Sequence, residues 1–186
     1  MFIQTESTPN PATLKFLPGR TVMPEGVLDM PDAGAAARSP LAQALFSIEG
    51  VSGVFFASEF ISVTKAQGEW QHLKPAILGV IMEHFTSGAP LLATDMGDPD
   101  EEAEEFYDVA DKETVATIKE LLEARVRPAV AGDGGDITFR GFRDGVVYLA
   151  MKGACAGCPS STATLKNGIQ NMFRHYMPEV QAVEQI

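Results

Sequence analysis

Residues 94–111 hold nine Asp or Glu and no Lys or Arg, together with Gly97, Pro99 and few large apolar side chains. Like charges at that density repel one another, and the segment has little apolar surface to offset the entropy of ordering it, so it reads as a solvated connector. Such a stretch cannot run through a core, and the apolar material on either side is expected to form two cores rather than one. The expected organisation is a first domain over 1–88, an acidic flexible linker over 89–110 and a second domain over 111–186. The formal charge of −11 has the same origin, since about −2 remains once the window is set aside. With no basic stripe to engage a phosphate backbone, nucleic acid is not an expected partner. No apolar run reaches the roughly 18 residues of a membrane span, so no membrane partner is expected either. The opening "MFIQTESTPNP" has neither signal-peptide nor presequence character, which points to the cytoplasm or to a mature organellar form.

In the first domain "FIQTES" and "TLKFLPG" read as short strands separated by Pro9 and Pro11, which cannot sit inside a ladder. A turn-rich stretch, "MPEGVLDMPDAGAAA", follows. Leu41, Ala44, Leu45 and Ile48 then recur at helical spacing after a Ser39-Pro40 start. "VSGVFFAS" and "FISVTKA" alternate as a hairpin, and a longer helix is expected over 73–85, burying Ile77, Val80, Ile81 and Phe85. Trp70, Phe55 and Phe56 are candidates for a partner-binding patch, although aromatics at such places more often fill a core.

Beyond the connector, "DKETVATIKELLEARV" spaces Val115, Ile118, Leu121, Leu122 and Val126 along one helical face, and Pro128 is expected to end that helix. A glycine-rich loop, "AGDGGD", leads into "ITFRGF", an Arg143-Asp144-Gly145 turn and "VVYLAMKG", a β-hairpin. A helix over 160–176 and a last strand, "VQAVEQI", complete an α-β-β-α-β order. The fold class is therefore α+β, with two small mixed domains. Asp133 and Asp136 offer too few oxygens for the usual cation loop, and glycines joining a helix to a strand explain the motif more simply.

Between hairpin and helix lies "KGACAGCPSS", which holds the chain's two cysteines, Cys155 and Cys158. Pro159 suits a first helical turn, so both sulfurs are expected at a helix N-terminus, where free N–H groups and the helix dipole favour thiolate. Small neighbours let backbone amides approach whatever the sulfurs hold. Three chemistries use such a pair. A thiol-disulfide oxidoreductase also places Cys-x-x-Cys between strand and helix, but here no aromatic precedes the first cysteine and the strand belongs to a hairpin. Structural zinc needs four ligands, and His175, the nearest histidine in sequence, is separated by most of a helix, roughly 25 Å at about 1.5 Å per residue. His72 and His84 belong to the first domain. An iron-sulfur cluster ordinarily needs four cysteines, which two copies of the chain would supply across a twofold axis. A cluster clamped at a separable interface could be handed on.

"RPAVAGDGGDITFRGFRDGVVYLAMKGACAGCPSSTATLKNGIQ" resembles the C-terminal domain of NifU, the module shared by Nfu-type iron-sulfur proteins. "IQTESTPNPATLKFLPG", "FFASEFISVTK" and the helix after Trp70 are similar to the N-terminal domain of the longer members. The resemblance implies a scaffold or carrier without catalytic turnover. It would bind a 4Fe-4S cluster through Cys155 and Cys158 of each of two subunits, forming a homodimer when loaded. Upstream cluster assembly proteins would load it, and apo iron-sulfur proteins would receive its cluster. Ligand count alone does not separate 2Fe-2S from 4Fe-4S; that preference comes from the resemblance. A bacterial cytoplasmic member is expected, with a mature mitochondrial matrix protein as the alternative.

Overall fold

The computed structural model describes residues 1–93, 104–156 and 159–186, the span 159–161 by backbone alone. The chain divides into two compact units, Met1–Glu101 and Glu102–Ile186, and it is mixed α+β throughout.

The first unit is built on a five-stranded antiparallel sheet formed by β1 (Gln4–Ser7), β2 (Thr13–Leu17), β3 (Leu28–Met30), β4 (Val51–Phe56) and β5 (Ile61–Lys65), in the order β1-β2-β5-β4-β3. Phe16 and Phe56 both lie opposite Ile61, and Val54 lies opposite Val63, which puts these side chains in rows on one face. Helices α1 (Pro40–Phe46) and α2 (Trp70–Ser87) contribute Leu41, Leu45, Ile77 and Ile81 to the same core. The Ser39-Pro40 start behaves as the sequence requires, with Pro40 in the first turn and the Ser39 hydroxyl accepting from the Ala42 N–H at 3.3 Å. Strand β3 lies inside the stretch read as turns. Only three residues long, it has too little alternation to stand out, and its pairing with β4 creates it. Helix α2 starts at Trp70, earlier than the apolar spacing indicates, and Gly88 closes it in the left-handed conformation (φ 68°). Phe55 and Phe56 are 1% and 0% exposed, on opposite faces of β4, so neither offers a partner-binding patch. The Trp70 indole N–H donates to the Pro11 carbonyl at 3.1 Å and ties α2 to the β1–β2 connection.

In the second unit the first helix does not end at Pro128. Helix α3 (Lys112–Leu121) passes into one wider π-helical turn, Leu122–Val126, and continues as α4 (Arg127–Gly132). The wide turn gives the proline ring room, and Pro128 falls in the first turn of α4, where its missing N–H costs little. Strands β6 (Gly135–Arg143) and β7 (Val146–Gly153) form the hairpin. Asp144 (φ 51°) and Gly145 (φ 76°) make the two-residue turn between them, both left-handed as the strand twist demands. Helix α5 (Pro159–Tyr176) then returns the chain so that β8 (Ala182–Gln185) pairs parallel to β7, giving the order β6-β7-β8. Ile118, Val130, Ile137, Leu149, Ile169 and Phe173 are among the residues that close the core between the helices and this sheet.

Residues at both ends of the stretch expected as a connector, 89–110, make contacts with the unit next to them. Leu91 and Leu92 pack against the first core, and the Ala93 N–H donates to the Arg38 carbonyl at 2.8 Å. On the other side Phe106 bridges to Gly141 at the bulge of β6, donating to the Arg140 carbonyl at 3.1 Å and accepting from Phe142 at 2.9 Å. Its ring fills the space that a Cβ on Gly141 would need and meets Tyr148 at 5.1 Å between ring centres. Tyr107, next to it, meets the Phe139 ring at 6.5 Å between ring centres. The remainder of the expected linker, 94–103, lies outside the described residues.

Candidate functional site

The cysteine loop is positioned by the first residues of β6 and the last of β7. Gly135 stands opposite Gly153 and Asp136 opposite Lys152 at the open end of the hairpin. Gly153 (φ 64°) turns the chain out of β7, and the Ala154 N–H donates to the Gly134 carbonyl at 3.2 Å. The Ala156 N–H closes the turn onto the Gly153 carbonyl at 3.1 Å, and the Thr162 hydroxyl donates to the Cys155 carbonyl at 3.1 Å from the start of α5. The loop is therefore pinned to the hairpin on one side and to α5 on the other.

Cys155 is only 6% exposed and joins the apolar core of the second unit. Its sulfur rests on Gly135. A Cβ built there would come within 2.7 Å of Sγ, 2.5 Å of the Lys152 carbonyl oxygen and 3.0 Å of the Cys155 nitrogen. Glycine is required here by close approach, not by a turn. Burial pushes the Cys155 thiol up to about 12, and the Asp133 and Asp136 carboxylates add to the rise. This corrects the expectation of a helix-stabilised thiolate at Cys155. Helix α5 begins at Pro159, four residues on from Cys155. Cys158, the other expected ligand, lies outside the described residues.

Asp136 is 3% exposed, and Arg127 satisfies it, Nε reaching Oδ1 at 2.8 Å and Nη2 reaching Oδ2 at 2.9 Å. The other guanidinium arm, Nη1, meets Glu123 one turn back, and the hydrogen bonds to Asp136 raise the Arg127 pKa further from an already high value. Both Asp136 oxygens thus serve the fold. Among the described residues no group of three or more His, Cys, Asp or Glu side chains is arranged to hold a metal ion. His175, near the end of α5, packs edge-on against Tyr176, while His72 and His84 belong to the first unit. The roles of Arg127 and Gly135 escape a reading of the sequence. An arginine in the short helix before an acidic loop is a faint signal for the first, and nothing local marks the second.

The comparisons agree with this layout. Residues 3–88 match the family described as scaffold protein Nfu/NifU N terminal, and residues 118–184 match the NifU-like domain. The NFU1 iron-sulfur cluster scaffold homolog, mitochondrial, of Homo sapiens is 52% identical over 188 residues, covering all of this chain and 72% of that protein. The relative of the same name in Drosophila sechellia is also 52% identical, and the chain spans 65% of its length. NifU-like protein 4, mitochondrial, of Arabidopsis thaliana is 52% identical over 192 residues, with 66% of it covered. Among solved structures, a NifU-like protein from Saccharomyces cerevisiae aligns with a TM-score of 0.44 at 25% identity, over 51% of this chain and 87% of that one. With both domain families matched in order and relatives half identical along its whole length, the chain belongs to the Nfu/NifU family of scaffold proteins.

Proposed function

We propose that this protein is an iron-sulfur cluster scaffold and carrier without catalytic turnover of its own. It binds a 4Fe-4S cluster between two subunits through Cys155 and Cys158 of each and passes it to apo iron-sulfur proteins. The observation that carries this reading is the thiol count. The chain has two cysteines, both in one loop, and a cluster takes four, so one chain is half a site. The cluster is cargo. An incoming acceptor thiol gives up its proton as it bonds to iron, the Cys155 or Cys158 thiolate leaves iron and takes a proton up, and no electron changes hands. A dithiol oxidoreductase would use the same pair, but no aromatic precedes Cys155 and the strand before it belongs to a hairpin.

The first unit and the acidic segment influence which acceptor approaches, and upstream assembly proteins supply the cluster. The relatives at 52% identity carry mitochondrial names. A mitochondrial matrix setting goes with them, and nothing in the comparisons supports the bacterial cytoplasm expected from the sequence.

Anaerobic reconstitution with iron and sulfide tests the reading. The expected product is a brown dimer absorbing near about 400 nm with roughly four irons, and colour and dimer are lost in Cys155→Ser and Cys158→Ser. A colourless monomer that turns over disulfides would sink it. A colourless dimer holding zinc would replace the cluster with a structural metal.

A further inference from the structure

We infer that Arg127 is a positioning residue for Cys155: its two-pronged hold on Asp136 fixes the Gly135 backbone on which the Cys155 sulfur rests. The inference deepens the proposed function and rests on Cys155 being a cluster ligand.

Arg127 opens α4 and Asp136 is the second residue of β6, so their ion pair closes the turn between helix and strand. Gly134 (φ 84°) makes that turn, and Gly135 lies between it and Asp136. The Gly134 carbonyl receives the Ala154 N–H, and Gly135 receives the Cys155 sulfur. The two residues just before Asp136 thus make a hydrogen bond and a close contact that locate Cys155 from the hairpin side.

Burying a carboxylate is costly, and an apolar residue could close the same turn at no such cost. What the pair supplies is direction. Two parallel N–H···O bonds in one plane fix both the position and the tilt of Asp136, which neither an apolar contact nor a lysine ammonium would do. Glu123, on the solvent side of the guanidinium, extends the pair but does not touch the platform.

The test uses the full-length protein and two readouts. In the cluster-free form, hydrogen exchange of the Ala154 amide reports the platform directly. In the reconstituted form, the rate of cluster loss to an iron chelator reports its consequence. Arg127→Gln is expected to speed Ala154 exchange about tenfold and chelator loss about 10–100-fold, the range for residues that orient ligands. Arg127→Lys, which keeps the charge but loses the fork, should fall between it and wild type and carries the test if Arg127→Gln does not fold. Glu123→Gln should change neither readout. Ile118→Val, a core truncation away from the loop, supplies a destabilised control, compared at equal global stability. If Ile118→Val speeds Ala154 exchange as much as Arg127→Gln does, or if Arg127→Gln leaves exchange unchanged, Arg127 does not position the site. If wild type takes up no cluster, the proposed function fails while the exchange readout still decides whether Arg127 holds the platform.

Discussion

In the first unit buried hydroxyls and an amide are held by neutral hydrogen bonds and the buried Lys15 reaches out to Glu6 at the sheet surface, whereas in the second a half-buried Arg127 holds the buried Asp136 one residue from the platform of a thiol. Thr13 and Thr64 share a bond of 2.8 Å between β2 and β5, and Asn10 closes the β1–β2 connection by accepting from the Ala12 N–H at 3.0 Å. These bonds satisfy groups that the sheet would otherwise strand, and little else depends on them. Asp136 is buried as deeply but carries charge, its partner Arg127 is half-buried, and the close contact of the Cys155 sulfur follows from where the pair holds the chain. The glycines divide in the same way. A Cβ on Gly50 would strike the Gln67 carbonyl, a matter of how one turn packs, while a Cβ on Gly135 would strike the sulfur itself. Tight packing serves the sheet in one unit and the site in the other.

If that division holds, equal damage to the two cores has unequal consequences. Phe16 and Phe173 are both fully buried, one in each core. Truncating either to Ala should cost about 3–5 kcal/mol in its own unit. Phe16→Ala should lower only the first unit's unfolding transition and leave the iron content of the reconstituted protein unchanged. Phe173→Ala loosens α5 behind the cysteine loop and should abolish cluster uptake. Calorimetry with iron analysis on both variants checks this, and a parallel loss of iron in Phe16→Ala would erase the distinction.

A sharper contrast lies within the second unit. Gly135→Ala drives a methyl into the Lys152 carbonyl and the Cys155 sulfur, so it should cost about 1–3 kcal/mol and most of the cluster. Gly168, in the interior of α5, has nothing within 4 Å of where its Cβ would be. Gly168→Ala should stabilise the unit by up to about 1 kcal/mol with the cluster intact. Urea unfolding and iron content distinguish the two, and equal tolerance at both positions would mean that the loop moves off Gly135 freely.

How far the sequence discloses each unit follows from the range of the interactions. The hairpin at Asp144-Gly145, the N-cap at Ser39 and the apolar faces of α3 and α5 are local signals, and each reappears where spacing and turn chemistry place it. Strand β3 was hidden because three residues have no periodicity of their own. The continuation of the helix through Pro128 was hidden because a wider turn, invisible in residue types, makes room for the ring. At the site, Cys155 is plain from its spacing to Cys158 and from the glycines around it. Its burial is not, because that depends on Gly135 and Asp136 arriving from another strand. Phe106 docks on Gly141 for the same non-local reason, within a run whose charge alone reads as solvated.

The smallest expected effect concerns acid. His84, in the last turns of α2, is 9% exposed and packs edge-on against Phe85 at 5.5 Å. Burial lowers its pKa, because the folded unit disfavours the charged ring. The unfolded chain therefore binds a proton first as pH falls. The stability of the first unit should be at its full value above about 6.5, the unfolded value, and should decline below it until the folded histidine also titrates. The second unit buries no histidine, so this source of acid sensitivity is confined to the first. Urea midpoints of the first unit at pH 8 and pH 5.5 should differ in wild type, and the difference should shrink in His84→Gln. A variant as acid-sensitive as wild type would move the effect to carboxylates, and the two units would then share a response that the position of His84 assigns to one.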